Sequence, residues 1–333
     1  MIKRVIAALL IAALVLFLPV WPSLAGNTLT LTVATNEPTY SLGDTAYVSG
    51  NLMWTPVDAP VTQGIVGVEV TKPSGQPLIL RTLPTGSIPS QNWLVNFTAF
   101  YPCDSNGNPE YSFQAGEAVY VYAAWKNFDK TFAHTVLCAV TVYGANSVPL
   151  GYQLFTTSLA PYATEVVTED MTMIPTSTVG NVTFYASLFS DLPENGGYPY
   201  CPEQNATFTI GTLTSNSPFE SSSDGFYNFS FTLPSSGIPV GNYTVYATTP
   251  YGADAHATFT VILVGDILGD GVVDIYDAIA LSKAFGSHCA NYSYPGEPAS
   301  PNWNPAADLN HDGIVDIYDA LILAEHFGDS ATS

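Results

Sequence analysis

The chain has 333 residues, enough for roughly two or three domains. It carries 7 Lys+Arg against 28 Asp+Glu, a formal net charge of −21, and 47% of its residues are hydrophobic. That balance excludes nucleic-acid binding, which needs Lys and Arg for phosphate contacts, and it excludes a disordered acidic tail, which lacks apolar material for a core. It favours divalent cations, basic partners or simple solubility.

The first element is a leader. Met1-Ile-Lys-Arg4 is a short basic start and Val5–Leu18 is an unbroken apolar run. Ser23 and Ala25 are small residues placed for cleavage after Ala25, so residues 1–25 read as a signal peptide. The apolar run is shorter than the ~20 residues of a spanning helix, and an uncleaved anchor is the alternative. In either case the body of the protein is exported, to the medium or the cell surface. Removing Lys3 and Arg4 takes the net charge from −21 to −23. Asn-x-Ser/Thr triplets at Asn96, Asn181, Asn205, Asn228, Asn242 and Asn291 permit glycosylation of an exported chain.

From residue 27 the sequence reads as mainly β. Aromatic and β-branched runs alternate with polar residues and are cut by Gly and Pro. Strands are expected at 28–35, 46–54, 65–71, 77–82, 93–101, 118–125 and 135–143, and these are grouped as one domain, 27–145. A second set at 164–171, 180–188, 206–211, 225–233, 241–249 and 256–263 forms a domain 146–263. Some six or seven short strands per domain predict two β-sandwiches of immunoglobulin-like layout. The stretches 38–50 and 66–75 resemble the openings of extracellular immunoglobulin-like modules, and 225–248 resembles the last hairpins of such modules. Four cysteines allow three pairings, and Cys103–Cys138 is favoured because both fall in the first expected domain.

The last segment, 264–333, changes character. Asp266-Ile-Leu-Gly-Asp-Gly-Val-Val-Asp-Ile-Tyr-Asp277 returns 42 residues later as Asp308-Leu-Asn-His-Asp-Gly-Ile-Val-Asp-Ile-Tyr-Asp319. Over the 21 positions from Asp266, twelve are identical to their partners, so this is an internal repeat. Helical runs 278–285 and 320–327 follow, each stopped by a glycine, Gly286 or Gly328.

The spacing suits calcium. Calcium takes about six to eight hard oxygen ligands, and an EF-hand-type loop supplies them from its first, third, fifth, seventh, ninth and twelfth positions. In the second loop these are Asp308, Asn310, Asp312, the Ile314 carbonyl, Asp316 and Asp319, with Gly313 at the sharp turn. The first loop offers Asp266, Asp270, the Val272 carbonyl, Asp274 and Asp277, with Gly271 at the turn. Its third position is Leu268, which has no ligating oxygen, so the first loop is expected to bind more weakly or to use an extra water.

At these residues the chain resembles a type I dockerin, a module of two loop–helix halves with Asp closing each loop. The resemblance covers residues 265–329. It implies calcium-dependent binding of a cohesin domain on another protein. It places the partner-reading positions at Ile275-Tyr276 and Ile317-Tyr318, and the repeated pair implies binding in either of two orientations. For Ile, packing in the module's own core is the competing reading.

Dockerins often accompany glycoside hydrolases, which need two carboxylates across the scissile bond. The acidic residues before the loops fall in no recognisable catalytic motif. The expectation is therefore a non-catalytic protein. The alternative is an accessory protein whose β domains bind or degrade polysaccharide, with Trp93, Tyr101, Tyr111, Tyr198 and Tyr200 as candidate sugar platforms.

Overall fold

Period-two alternation fixes the strands and their inner faces. In Phe226–Thr232, for example, Tyr227, Phe229 and Phe231 all point inward and are fully buried. The computed structural model describes residues 28–87, 93–211 and 220–331. The expected leader lies outside these residues. Strands make up 47% of the chain and helix 10%.

Two β-sandwiches account for the strands, with 3-10 turns between some of them. In the first, one sheet runs 28–31, 45–55, 226–232, 220–223, with 34–35 and 59–60 also paired to 45–55. Facing it is the order 39–41, 254–262, 241–248, 64–71, 77–85. Between them lies a core that includes Val48, Leu52, Val66, Val68, Phe229, Phe231 and Val245. In the second sandwich, the order 164–170, 120–127, 95–103 faces 149–159, 134–143, 180–189, 204–210, 112–113. Its core includes Trp125, Val140, Phe184 and Phe208.

The expected boundary at residue 145/146 does not match this pairing. Strand 45–55 pairs with 226–232, and 64–71 pairs with 241–248. The chain leaves the first sandwich after Thr85, builds the second from Val95 to Ile210, and returns at Glu220 to complete the first. The strands themselves lie within a few residues of where the pattern puts them. Pairing between strands some 180 residues apart leaves no local trace. Strand Pro149–Leu159 escaped the pattern because, at a sheet edge, most of its residues are only half-buried.

Insertion works because the first sandwich offers its hairpin 64–85 as a docking surface. Residues of 64–71 and 77–85 are buried almost without exception. Leu80 packs with Leu137, Ala139 and Phe189 of the second sandwich. A side chain at Gly67 would meet Phe189 Cε1 at 2.7 Å, so glycine lets the two come together. The Arg81 guanidinium, fully buried, pairs with Glu203 through Nε–Oε2 at 3.0 Å and Nη2–Oε1 at 2.6 Å. It also sits 3.5 Å from the centroid of the Tyr185 ring. A buried charge is costly alone, so the bidentate carboxylate and the ring face are what make it tolerable.

The cysteines are free, and Cys103 and Cys138 are not joined as expected. Cys103 ends its strand beside Pro109, whereas Cys138 lies mid-strand in the opposing sheet, paired with Phe155 and Leu188. Burial pushes the Cys103 thiol up to about 11 and Cys201 to about 12. Burial also raises Cys138, and Cys201 in the same core adds to that rise. All three are protonated packing residues at neutral pH.

Glu69 generates a pH prediction. It lies fully buried at the docking surface, and its Oε2 accepts the Glu194 N–H at 2.9 Å. Burial, with the nearby charges of Glu194 and Asp191, pushes its carboxyl up to about 7. An acid raised on folding contributes stability in its neutral form, which is lost as pH rises through about 7. Denaturant unfolding at pH 5 and pH 8 should therefore show wild type losing stability with pH, on the order of 2 kcal/mol. Glu69→Gln should remove most of that slope; an unchanged slope would show that Glu69 is not its source.

Candidate functional site

Each acidic loop runs into a helix, and the same aspartates serve both. Helix α1 spans Ile275–Ala284 and α2 spans Ile317–Glu325, each starting three residues before the expected position. The reason is a capping box. Asp274 accepts the Tyr276 N–H at 2.7 Å, while Asp277 Oδ2 accepts the Asp274 N–H at 2.8 Å. Asp316 and Asp319 repeat this at 2.8 and 2.7 Å. The ninth loop residue is thus the helix N-cap, and the twelfth lies inside its first turn. Past the helices Gly286 and Gly328 take φ of +77° and +94°, the left-handed geometry that ends them.

The twelfth residues also close the loops. Asp277 Oδ1 accepts the N–H groups of Ile267 and Leu268 at 2.9 and 3.0 Å. Asp319 Oδ1 accepts those of Leu309 and Asn310 at 2.7 and 3.2 Å. Both carboxylates are fully buried. At the other end, Asp266 accepts from Gly269, Asp270 and Gly271, and Asp308 accepts from Asp312 and Gly313.

The donor set suits a hard cation. Carboxylate oxygens of Asp266, Asp270 and Asp277 lie within 4.8 Å of one another. Three carboxylates that close repel unless a cation sits among them. In the second loop the Asn310 amide oxygen accepts the Asp312 N–H at 3.0 Å, and its Nδ2 donates to Asp312 Oδ2 at 3.0 Å. Asn310 thus occupies a ligating position whose counterpart in the first loop, Leu268, is an exposed apolar side chain.

The module has its own core. Ile267, Val273, Leu281, Ala284, Ala307, Val315 and Leu323 pack together, with Trp303 and Leu309 at the margin. Leu42 and Val240 of the first sandwich pack against this cluster. Only Leu263, Val264 and Gly265 separate the last strand from Asp266.

Outside that core the helices present apolar side chains. Ile275 is 56% exposed and Tyr276 62%, and Ile317 and Tyr318 are 57% and 62% exposed. Ile therefore does not pack in the module's core. Ile279 and Leu321, one helical turn on, are also exposed, as are Phe285 and Phe327 near the helix ends. Sequence reasoning missed these four; their spacing from the Ile-Tyr pair at the same 42-residue offset is the signal that identifies them. The result is two equivalent stripes.

Residues 264–328 match the family model of the dockerin type I domain. Dockerin domains bind cohesin domains and, as a family, calcium. No curated protein matches the chain. Among solved structures, the C-terminal domain of wzt aligns at 7% identity over 37% of this chain and 77% of that one, with a TM-score of 0.30. A β-glucosidase from Listeria innocua aligns at 10% identity over 42% and 18%, with a TM-score of 0.26. A CARDB domain from Pyrococcus furiosus in complex with di-metal ions aligns at 16% identity over 38% and 100%, also at 0.26. Likeness this low carries no argument about the β-sandwiches.

The candidate sugar platforms are dispersed in role. Trp93 and Tyr200 pack against the second core, and the Tyr200 hydroxyl donates to the Thr135 carbonyl. Tyr101 stacks on Tyr122 at 4.6 Å, Tyr198 sits edge-on to Tyr200, and Tyr111 is exposed.

Calorimetric titration of calcium into the full chain should resolve a weaker step for the loop that contains Leu268. Leu268→Asn restores an oxygen at the third position and should tighten that step by about tenfold. An unchanged affinity would show that a water already serves in place of the missing side chain.

Proposed function

We propose that this is a non-catalytic, exported or surface-held protein that attaches to a cohesin-like partner through its calcium-loaded dockerin module. The observation that carries the reading is the pair of matched stripes, Ile275-Tyr276-Ile279 and Ile317-Tyr318-Leu321, held outward by helices whose N-termini are built into the calcium loops. Aromatic and aliphatic side chains left in solvent on a small, ordered module are the raw material of a buried interface. The basic, apolar leader supports export, and no helix among the described residues is long and apolar enough to cross a membrane. The β-sandwiches then serve as a rigid body that carries the module.

In this reading Asp266, Asp270, the Val272 carbonyl, Asp274 and Asp277 would hold one calcium ion, and Asp308, Asn310, Asp312, the Ile314 carbonyl, Asp316 and Asp319 the other. Calcium supplies the positive charge that lets the carboxylates converge. The chain's own residues then fix the loop, start the helix and aim the stripe. Because the stripes are equivalent, either half can face the partner.

The test is calorimetry of the full chain with a purified cohesin domain, calcium in excess. Replacing Ile275 and Tyr276 with Ala should leave much of the affinity, since the second stripe remains. Replacing Ile317 and Tyr318 as well should weaken binding by at least about a hundredfold, given that central aromatic anchors cost about 2 kcal/mol or more each. A folded quadruple variant that binds as wild type does would show that these residues are not the contact surface.

A further inference from the structure

The segment after each helix turns back onto the loop of the other half. After α1, the Gly286 N–H donates to the Val315 carbonyl at 2.7 Å, the Ser287 carbonyl accepts the Val315 N–H at 2.9 Å, and the Cys289 N–H donates to the Gly313 carbonyl at 2.8 Å. After α2, the Gly328 N–H donates to the Val273 carbonyl at 2.8 Å, the Asp329 carbonyl accepts the Val273 N–H at 2.9 Å, and the Ala331 N–H donates to the Gly271 carbonyl at 2.9 Å. The two sets match bond for bond at the 42-residue offset of the repeat. Each half therefore clamps the other.

The clamped residues matter for what lies between them. Gly271 and Val273 flank Val272, and Gly313 and Val315 flank Ile314. In each antiparallel bridge the middle residues face one another as the pair that exchanges no hydrogen bonds, Val272 with Ser330 and Ile314 with His288. In such a pair the N–H and C=O of both residues point away from the partner strand. The Val272 and Ile314 carbonyls are therefore turned away from the clamp, on the strand edge whose N–H groups donate to the loop carboxylates of Asp270 and Asp312 at 3.2 and 3.0 Å. These carbonyls are the backbone oxygens at the seventh, ligating position. An acidic side chain can reach a cation through several rotamers, but a backbone carbonyl can be aimed only by fixing its peptide planes.

We propose that Asp329–Ala331 is a positioning segment for the first calcium loop, and Ser287–Cys289 for the second. The inference rests on the calcium reading above and extends it to residues that hold no ligand position. It makes residues that follow the second helix a working part of a site more than 50 residues upstream. It also couples the halves, because the strand that aims one loop is anchored by the helix of the other.

The test uses the full chain and calcium alone. One variant ends at Gly328; a second, Ala331→Pro, removes only the N–H that reaches Gly271; Ser330→Ala is a control, since the clamp uses backbone atoms. Each is titrated by calorimetry, with the Gly271 and Gly313 amide NMR signals reporting the two loops separately. Ending at Gly328 deletes two of the three clamp hydrogen bonds on the first loop and should weaken that loop about thirtyfold, at roughly 1 kcal/mol per bond. The second loop should stay within about twofold. Ala331→Pro should show a smaller loss of the same kind, and Ser330→Ala none. Wild-type affinity at both loops in the shortened chain, or equal weakening of both, would overturn the proposal. Absence of any calcium binding by the unaltered chain would instead remove the calcium reading itself.

Discussion

Two buried carboxylates, Asp277 and Asp319, hold the C-terminal module together. Each is removed from water, where an unpaired charge costs several kcal/mol. Each is made tolerable by three backbone N–H groups, two from the start of its loop and one from the helix N-cap. One side chain thus closes the loop and starts the helix. The twelfth position is also a ligating position in the proposed calcium sites, so on that reading metal binding and helix initiation meet on the same side chains. Helix initiation then sets the direction of Ile275-Tyr276 and Ile317-Tyr318. The exposed stripes are a downstream consequence of where these two carboxylates sit.

The rest of the chain presents that module. The second sandwich is inserted into the first and locked to it by Leu80, Gly67 and the Arg81–Glu203 pair. The first sandwich reaches the module through Leu42 and Val240, with almost no chain between the last strand and Asp266. A short, buried junction of this kind transmits the orientation of the sandwiches to the helices. The net charge of −21 favours solubility.

The repeat was legible in the sequence because its chemistry is local. Gly at the turn, Asp at fixed spacing and Gly after each helix are constraints imposed within a dozen residues. The helix start was misplaced by three residues because Asp277 was read as the end of a loop alone, when Asp274 and Asp277 together form a capping box. The strands were legible through alternation, but their partners were not. Nothing near Tyr47 marks Ser230 as its neighbour, and nothing near Arg81 marks Glu203. Cys103 and Cys138 do share one sandwich, as their expected pairing assumes, but one ends its strand while the other lies mid-strand in the opposing sheet, a separation that only the sheet pairing reveals. Ile279 and Leu321 could have been found, since they repeat the Ile-Tyr pair one helical turn later.

The most direct measurement is amide hydrogen exchange on the full chain, with calcium and then with chelator. If calcium lets the aspartates converge and so starts the helices, chelation should strip protection from residues 278–284 and 320–325. Strands 64–71 and 134–143 should keep theirs. Helices equally protected with and without calcium would contradict the account, because the loops would then fold without the charge that is held to organise them.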